Sequence, residues 1–307
     1  MLSLNTSLVS ESGKEVTILK HIGSGGRTDV YAVSEGNNLK ALKWYRRADD
    51  PMSQKILANI RALSQIPAPD SHMLWVEDVF VSDDAFGYTM PILPNSFIPL
   101  YKILLQPSYY SGIIACQTAL NYVGAMRKTH EQGLLFCTVD GYFNCYFDPK
   151  SGNLLVTDCE MITPFTSDPL PIYPNGRYGA PELITQKTKP NRLSNLYSLA
   201  LILFLILFRG HPLEGKSATP PLMTLSIEKH IYGENPLFIF DANSDVNAPI
   251  PEIHRNVTQY WLDAPDYLKA IFEKAFSQEA LHNPNMRPSE RDFEEVLLRY
   301  INDLNKN

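Results

Sequence analysis

The 307-residue chain has little cysteine and tryptophan, no surplus of basic charge and no long apolar run. Its four cysteines are Cys116, Cys137, Cys145 and Cys159. No two have Cys-x-x-Cys spacing, and no histidine cluster accompanies them. That argues against a zinc site or a disulfide framework and for buried thiols in a reducing compartment. Lys and Arg number 27 against 33 Asp and Glu, a formal net charge of -6. A nucleic-acid binder usually shows a basic face or stripe, and the short basic clusters here are isolated, so no nucleic-acid partner is expected. The most apolar stretch, Leu196 to Phe208, is 13 residues long, short of the ~20 needed to span a bilayer. It reads as a fully buried core helix, with no membrane attachment. The opening residues, MLSLNTSLVSESGKEVTILK, lack the basic start and apolar centre of a secretory signal, and a cytoplasmic location is expected. Internal repeats and charge runs are absent too. With 44% hydrophobic and 20% charged residues, the chain is long enough for two lobes sharing a cleft and is not a disordered polymer.

What is present separates into two parts. Residues 15–45 carry β-formers in alternating or clustered runs broken by Gly and Asn, which predicts strands. Residues 52–65 have helical apolar spacing, with Pro67 and Pro69 as a stop. The runs MLWVEDVFVS and FGYTMPIL then predict two further strands. After Pro94 the pattern turns helical. Segment 111–133 is a helix ending at Gly133. Short strands follow at 144–147 and 153–157, around the turn DPKSG. Residues 163–176 hold four prolines and predict an irregular loop. The expected division is an N-terminal extension at 1–14, a nucleotide-cradling lobe at 15–93 and a helical lobe at 94–307.

Two segments carry chemistry. GSGGRTDVY (residues 23–31) lies between predicted strands. Gly23, Gly25 and Gly26 there would let backbone N–H groups approach a phosphate with no Cβ in the way. The next strand carries Lys43, flanked by the apolar Leu42 and Trp44 and able to reach back under the loop. The second segment runs GLLFCTVDGYFNCYFDPKSGNLLVTDCE (residues 133–160). A tight hairpin within it would bring Asn144 and Asp158 to one place, and hard oxygen donors of that kind suit Mg²⁺.

Gly23, Gly25, Val30 and Lys43, then Asn144, Asp158 and Ala180-Pro181-Glu182, follow one another in an order that resembles the protein kinases. The resemblance spans about residues 15 to 300. It is nearest a bacterial serine/threonine kinase-like subfamily associated with phosphatase and von Willebrand A-type domains, in which Asp158 and Glu160 match two acids. The resemblance implies an α+β, bilobal protein-kinase-like fold, with a small antiparallel β-sheet lobe and a larger, mostly helical one. It implies ATP and Mg²⁺ as cofactors, with Lys43 on the phosphates, Asn144 and Asp158 on the metal, and adenine beside Thr89 to Leu93 between Met90 and Ile92. It also implies a buried ion pair between Glu182 and Arg287, and a protein substrate or partner.

The chain departs from the kinase pattern at four positions. Thr28 stands in place of the third glycine. The helix at 52–65 has no acid for Lys43, and Gln54 takes the equivalent place. Val139 stands where the base belongs, leaving Asp140, one residue on, as either the catalytic base or a simple turn residue. Asn195 replaces the aspartate that holds the catalytic loop. These departures favour a pseudokinase, a binding or scaffolding module with weak or no phosphotransfer. The alternative is an active, atypical ATP- and Mg-dependent serine/threonine protein kinase.

Overall fold

A computed structural model describes residues 2–105, 110–138, 144–170, 176–220 and 222–306. The first part of the chain is an antiparallel sheet with strand order β1-β2-β3-β4-β6-β5. Its strands are β1 (Ser7–Val9), β2 (Glu15–Ser24), β3 (Thr28–Glu35), β4 (Asn38–Tyr45), β5 (Val79–Val81) and β6 (Phe86–Pro91). β1, expected to lie in an extension before the sheet, is instead its edge strand, pairing Leu8 with Val16. The run from Met73 to Asp78 is not strand as expected. Its first residues bridge outward: Met73 pairs with Val156, and the Leu74 amide donates to Val156 O at 2.9 Å, whereas Glu77 and Asp78 bond to Thr89 of β6.

The register sorts the side chains of the sheet. Val30 lies opposite Lys43, Lys43 opposite Tyr88, and Ala41 opposite Met90. Cross-strand partners share a face, so these residues form one surface. Tyr31, Val33, Leu42 and Trp44 form the other, a small separate core against which Leu2 and Leu8 pack.

Helix α1 (Pro51–Leu63) crosses the face that carries Lys43. Asp50 caps it by accepting from the Met52 and Ser53 amides, and Pro51 begins it. It ends ahead of Pro67, where the Trp75 indole donates to Ile66 O at 2.8 Å. The connection onward holds β7 (Ile98–Pro99) and α2 (Lys102–Leu105).

The remainder is largely helical. α3 (Gly112–Glu131) has Ser111 as its cap, and Gly133 supplies the left-handed turn (φ 73°) after it. β8 (Leu134–Phe136), β9 (Cys145–Phe147), β10 (Leu154–Val156) and β11 (Ile162–Pro164) follow. β9 pairs with β10 and β7, and β11 with β8. The expected irregular loop thus begins with a strand, because Ile162 pairs with Phe136. Then come α4 (Pro181–Ile184), α5 (Arg192–Phe208), α6 (Leu225–Lys229), α7 (Arg255–Asp263), α8 (Asp266–Ala275), α9 (Gln278–His282) and α10 (Glu290–Leu304). α5 is the hub. Every residue from Ser194 to Phe208 is buried, as its apolar sequence predicts. Among the described residues no helix is long and apolar enough to cross a membrane.

Glu182 and Arg287 form the expected pair. Both guanidinium ends donate to the carboxylate at 2.7 Å, and Arg287 also donates to Leu193 O at 2.8 Å. Both side chains are buried, so neither charge has water to fall back on. Glu182→Ala is therefore expected to lose about 3–5 kcal/mol in urea denaturation. A variant as stable as the parent would contradict the pair's role in joining α4 to the α5 hub.

Candidate functional site

The glycine-rich turn joins β2 to β3. Its Gly25 amide donates to Thr28 O at 2.7 Å, so that amide is already engaged. Arg46, just past β4, donates to Gly25 O at 2.8 Å and Gly26 O at 2.6 Å. It also donates to Asp29 Oδ1 at 3.0 Å, which accepts from Ser24 Oγ at 2.7 Å as well. At the tip, Arg27 reaches Asp50 at 2.5 Å and Ser53 at 2.9 Å. The turn is thus tied both to its own strands and to the start of α1. Sequence reading missed Asp29 and Arg46. An acid and a base flanking the two strands of one hairpin were the available signal.

Lys43 is buried on the inner face of the sheet. It donates to Asp158 Oδ1 at 2.5 Å and contacts Glu160 Oε1. Glu160 has no exposed surface. Its two oxygens accept from the Tyr45 hydroxyl at 2.8 Å and the Tyr88 hydroxyl at 2.6 Å. Burial works against the charge on Lys43, but the attraction of Glu160 and Asp158 outweighs it and holds the ammonium pKa above its usual value. Burial likewise opposes the charge on Glu160, yet Lys43 and the two tyrosines bring its pKa below the usual carboxylate value. Asp158 differs. Partial desolvation against Lys43, together with the like charge of Glu160, raises its pKa although Lys43 opposes it. The Asp158 side chain keeps 35% exposure, so it is the acid that faces out. Its backbone is left-handed (φ 57°), a conformation Asp tolerates better than most residues.

Gln54 does not meet Lys43. It is exposed, and its amide is engaged by Ala48 O. α1 instead reaches the site through Asn59, whose amide donates to Glu160 O at 2.8 Å and Ile162 O at 2.7 Å.

Asn144 lies at the open end of the β9–β10 hairpin. Its carbonyl accepts from the Thr157 amide at 2.8 Å, which places it across from the residue preceding Asp158. Val30 and Met90 sit on the same sheet face as Lys43, and Ile92 is half-buried just beyond β6. Val139 and Asp140 lie outside the described residues.

Asn195 holds the chain ahead of that segment at both backbone groups of Phe136. It accepts from the amide at 2.9 Å and donates to the carbonyl at 2.9 Å. His130 Nε2 lies 3.1 Å from Asn195 Oδ1, and the other ring nitrogen contacts Glu290. Arg192 completes the network by donating to Glu290 at 2.9 Å. Asn195 thus grips Phe136 with both its amide oxygen and its amide nitrogen.

No family model matches the chain. The serine/threonine-protein kinase MPS1 of Encephalitozoon cuniculi is 26% identical over 216 residues, covering 66% of this chain and 34% of that kinase. The chain therefore spans about a third of the length of the curated relative it matches. The likeness runs in the same direction as the ordered motifs, toward the serine/threonine kinases.

Burial raises the pKa of Glu290, but hydrogen bonds from His130 and Arg192 outweigh it and lower the value to about 2. A depressed folded value stabilises above the ordinary 4.5 and is lost as pH falls through about 2. Acid denaturation should therefore begin at higher pH for the parent than its neutral-pH stability suggests. Glu290→Gln should be less stable near neutrality, with the difference closing in acid. A difference that stays constant down to pH 2 would contradict the assignment.

Proposed function

We propose that this chain is a two-lobed, protein-kinase-like nucleotide-binding protein, with a lobe at 15–93 and a helical lobe at 94–307, in which phosphotransfer is weak or absent. The observation that carries the reading is the contact of Lys43 with Asp158, which follows a hairpin whose open end holds Asn144. A buried cation, a half-exposed carboxylate and an amide oxygen together match the needs of a nucleotide's phosphates and their metal.

Lys43 would hold the phosphates, exchanging part of its contact with Asp158 for them. Asn144 and Asp158 offer hard oxygen donors that fit Mg²⁺. When bound, that ion would neutralise the charge of the phosphates. Gly23 pairs with Val30, which pairs with Lys43, and Gly23, Gly25 and Gly26 would cover the phosphates. A Cβ added at Gly23 or Gly26 would meet no atom within 4 Å, whereas one at Gly25 would meet Thr28 Oγ1 at 3.2 Å. Val30, Met90 and Ile92 supply apolar walls for a base, whose edge would pair with the backbone from Thr89 to Leu93. Thr28 in place of a third glycine and Val139 at the base position argue for slow chemistry, since misplacement by about 1 Å costs roughly 100-fold. The expected partner is a protein substrate or a protein that the module scaffolds. Four free, buried cysteines suit a cytoplasmic setting.

A second reading, an active serine/threonine kinase, is favoured by two observations. Asn195 binds Phe136 at both backbone groups, and Lys43 does have a buried acid, Glu160. In that case Asp140 is the base.

Mg-ATP well above its Kd should raise the melting temperature by several degrees, and Lys43→Met or Asp158→Asn should abolish the shift. No shift in the parent sinks the nucleotide reading. Transfer of radiolabelled phosphate from ATP to the protein or a generic substrate should be near background. Robust transfer abolished by Asp140→Ala would replace the pseudokinase reading with the kinase one.

A further inference from the structure

We infer that Glu160 is the positioning residue for Lys43, and that the turn after Asp158, rather than helix α1, sets where the lysine stands. The consequence for nucleotide affinity rests on the function proposed above. The placement of the lysine does not.

The argument begins with what α1 lacks. It carries no acid, and Gln54, the side chain at the equivalent place, is turned to Ala48 O. The group that α1 sends into the site is Asn59, which grips main-chain carbonyls of Glu160 and Ile162. It holds the turn and makes no contact with the lysine. Glu160 itself is fixed at both oxygens. Tyr45 and Tyr88 arise on adjacent strands, on the face that carries Lys43, and each donates to a different oxygen of the carboxylate. The Lys43 contact to Oε1 is then the charge balance that lets a carboxylate remain ionised with no exposed surface.

Glu160 and Asp158 belong to one short turn, with the buried Cys159 between them. The acid that grips the lysine and the acid that faces outward therefore move together. Displacing α1 would break the Asn59 bonds to the turn's carbonyls but no direct contact to the lysine. Displacing the turn would loosen Lys43 and Asp158 at once. A site built this way is assembled by the turn's conformation, with α1 pinned to it by Asn59.

The test reads the lysine directly. The parent, Glu160→Gln, Tyr88→Phe and Gln54→Ala are labelled with an acetylating N-hydroxysuccinimide ester, at a temperature where circular dichroism shows each to be folded. Lys43 modification is measured by mass spectrometry relative to the exposed lysines. Lys43 reacts only when it leaves its buried place beneath the sheet, and the contact with Glu160 is what keeps it there. Lys43 labelling should rise about tenfold in Glu160→Gln, as loss of a contact coupling of about 1.4 kcal/mol would give, rise less in Tyr88→Phe and stay unchanged in Gln54→Ala. Should Glu160→Gln fail to fold, Tyr88→Phe, which keeps the ring and removes one bond to Glu160, carries the test. Mg-ATP affinity by calorimetry should fall about tenfold in Glu160→Gln and hold in Gln54→Ala. Labelling that ignores Glu160 and Tyr88, or that rises equally in Gln54→Ala, overturns the inference. If labelling follows expectation and the parent binds no Mg-ATP, the positioning role stands and the nucleotide reading falls.

Discussion

A carboxylate with no exposure, an ammonium beneath a β-sheet and two tyrosine hydroxyls satisfy one another at the centre of this protein. Neither Lys43 nor Glu160 could stay charged there alone, because desolvation of a single ion costs several kcal/mol. The sheet supplies Lys43, Tyr45 and Tyr88 through the register of β4 and β6. The segment after β10 supplies Glu160, and α1 holds that segment through Asn59. Three elements distant in sequence are thereby fixed by one polar cluster inside an apolar core.

A second buried polar system organises the helical part. Arg287 joins Glu182 to the backbone at the start of α5. Asn195, one turn into that helix, holds Phe136 at the mouth of the segment leading to Asn144. The apolar body of α5 is what makes this rigid, since it is buried from Ser194 to Phe208. Polar groups at its start are oriented by a helix that cannot shift without opening the core around it.

Much of this was legible in the sequence. The strands around Lys43, the helix at α5 and the Glu182–Arg287 pair follow from periodicity, apolar density and ordered motifs. β1 was not, because Ser7–Val9 is three residues long and its pairing with β2 is non-local. Met73 to Asp78 has strand composition, but its first residues are drawn to the β9–β10 hairpin, and Glu77 and Asp78 bond to β6. The lysine's partner was also missed. The motif directs attention to the helix, where Gln54 stands, whereas the physical question is which acid can follow a buried lysine out of water. Glu160, two residues past Asp158 in a segment with few other charges, was the candidate that this question would have found. Asp140 stays a sequence-level proposal.

A double-mutant cycle on Lys43 and Glu160 tests the central claim most directly. The parent, Lys43→Met, Glu160→Gln and the double variant would be compared by urea denaturation at neutral pH. Each single change leaves a buried group without its partner, so each should be strongly destabilising. The double variant should lose less than the sum of the two, with a coupling of about 1–3 kcal/mol. Two losses that simply add would mean that the pair contributes no interaction, and that some other feature places Lys43 beneath the sheet.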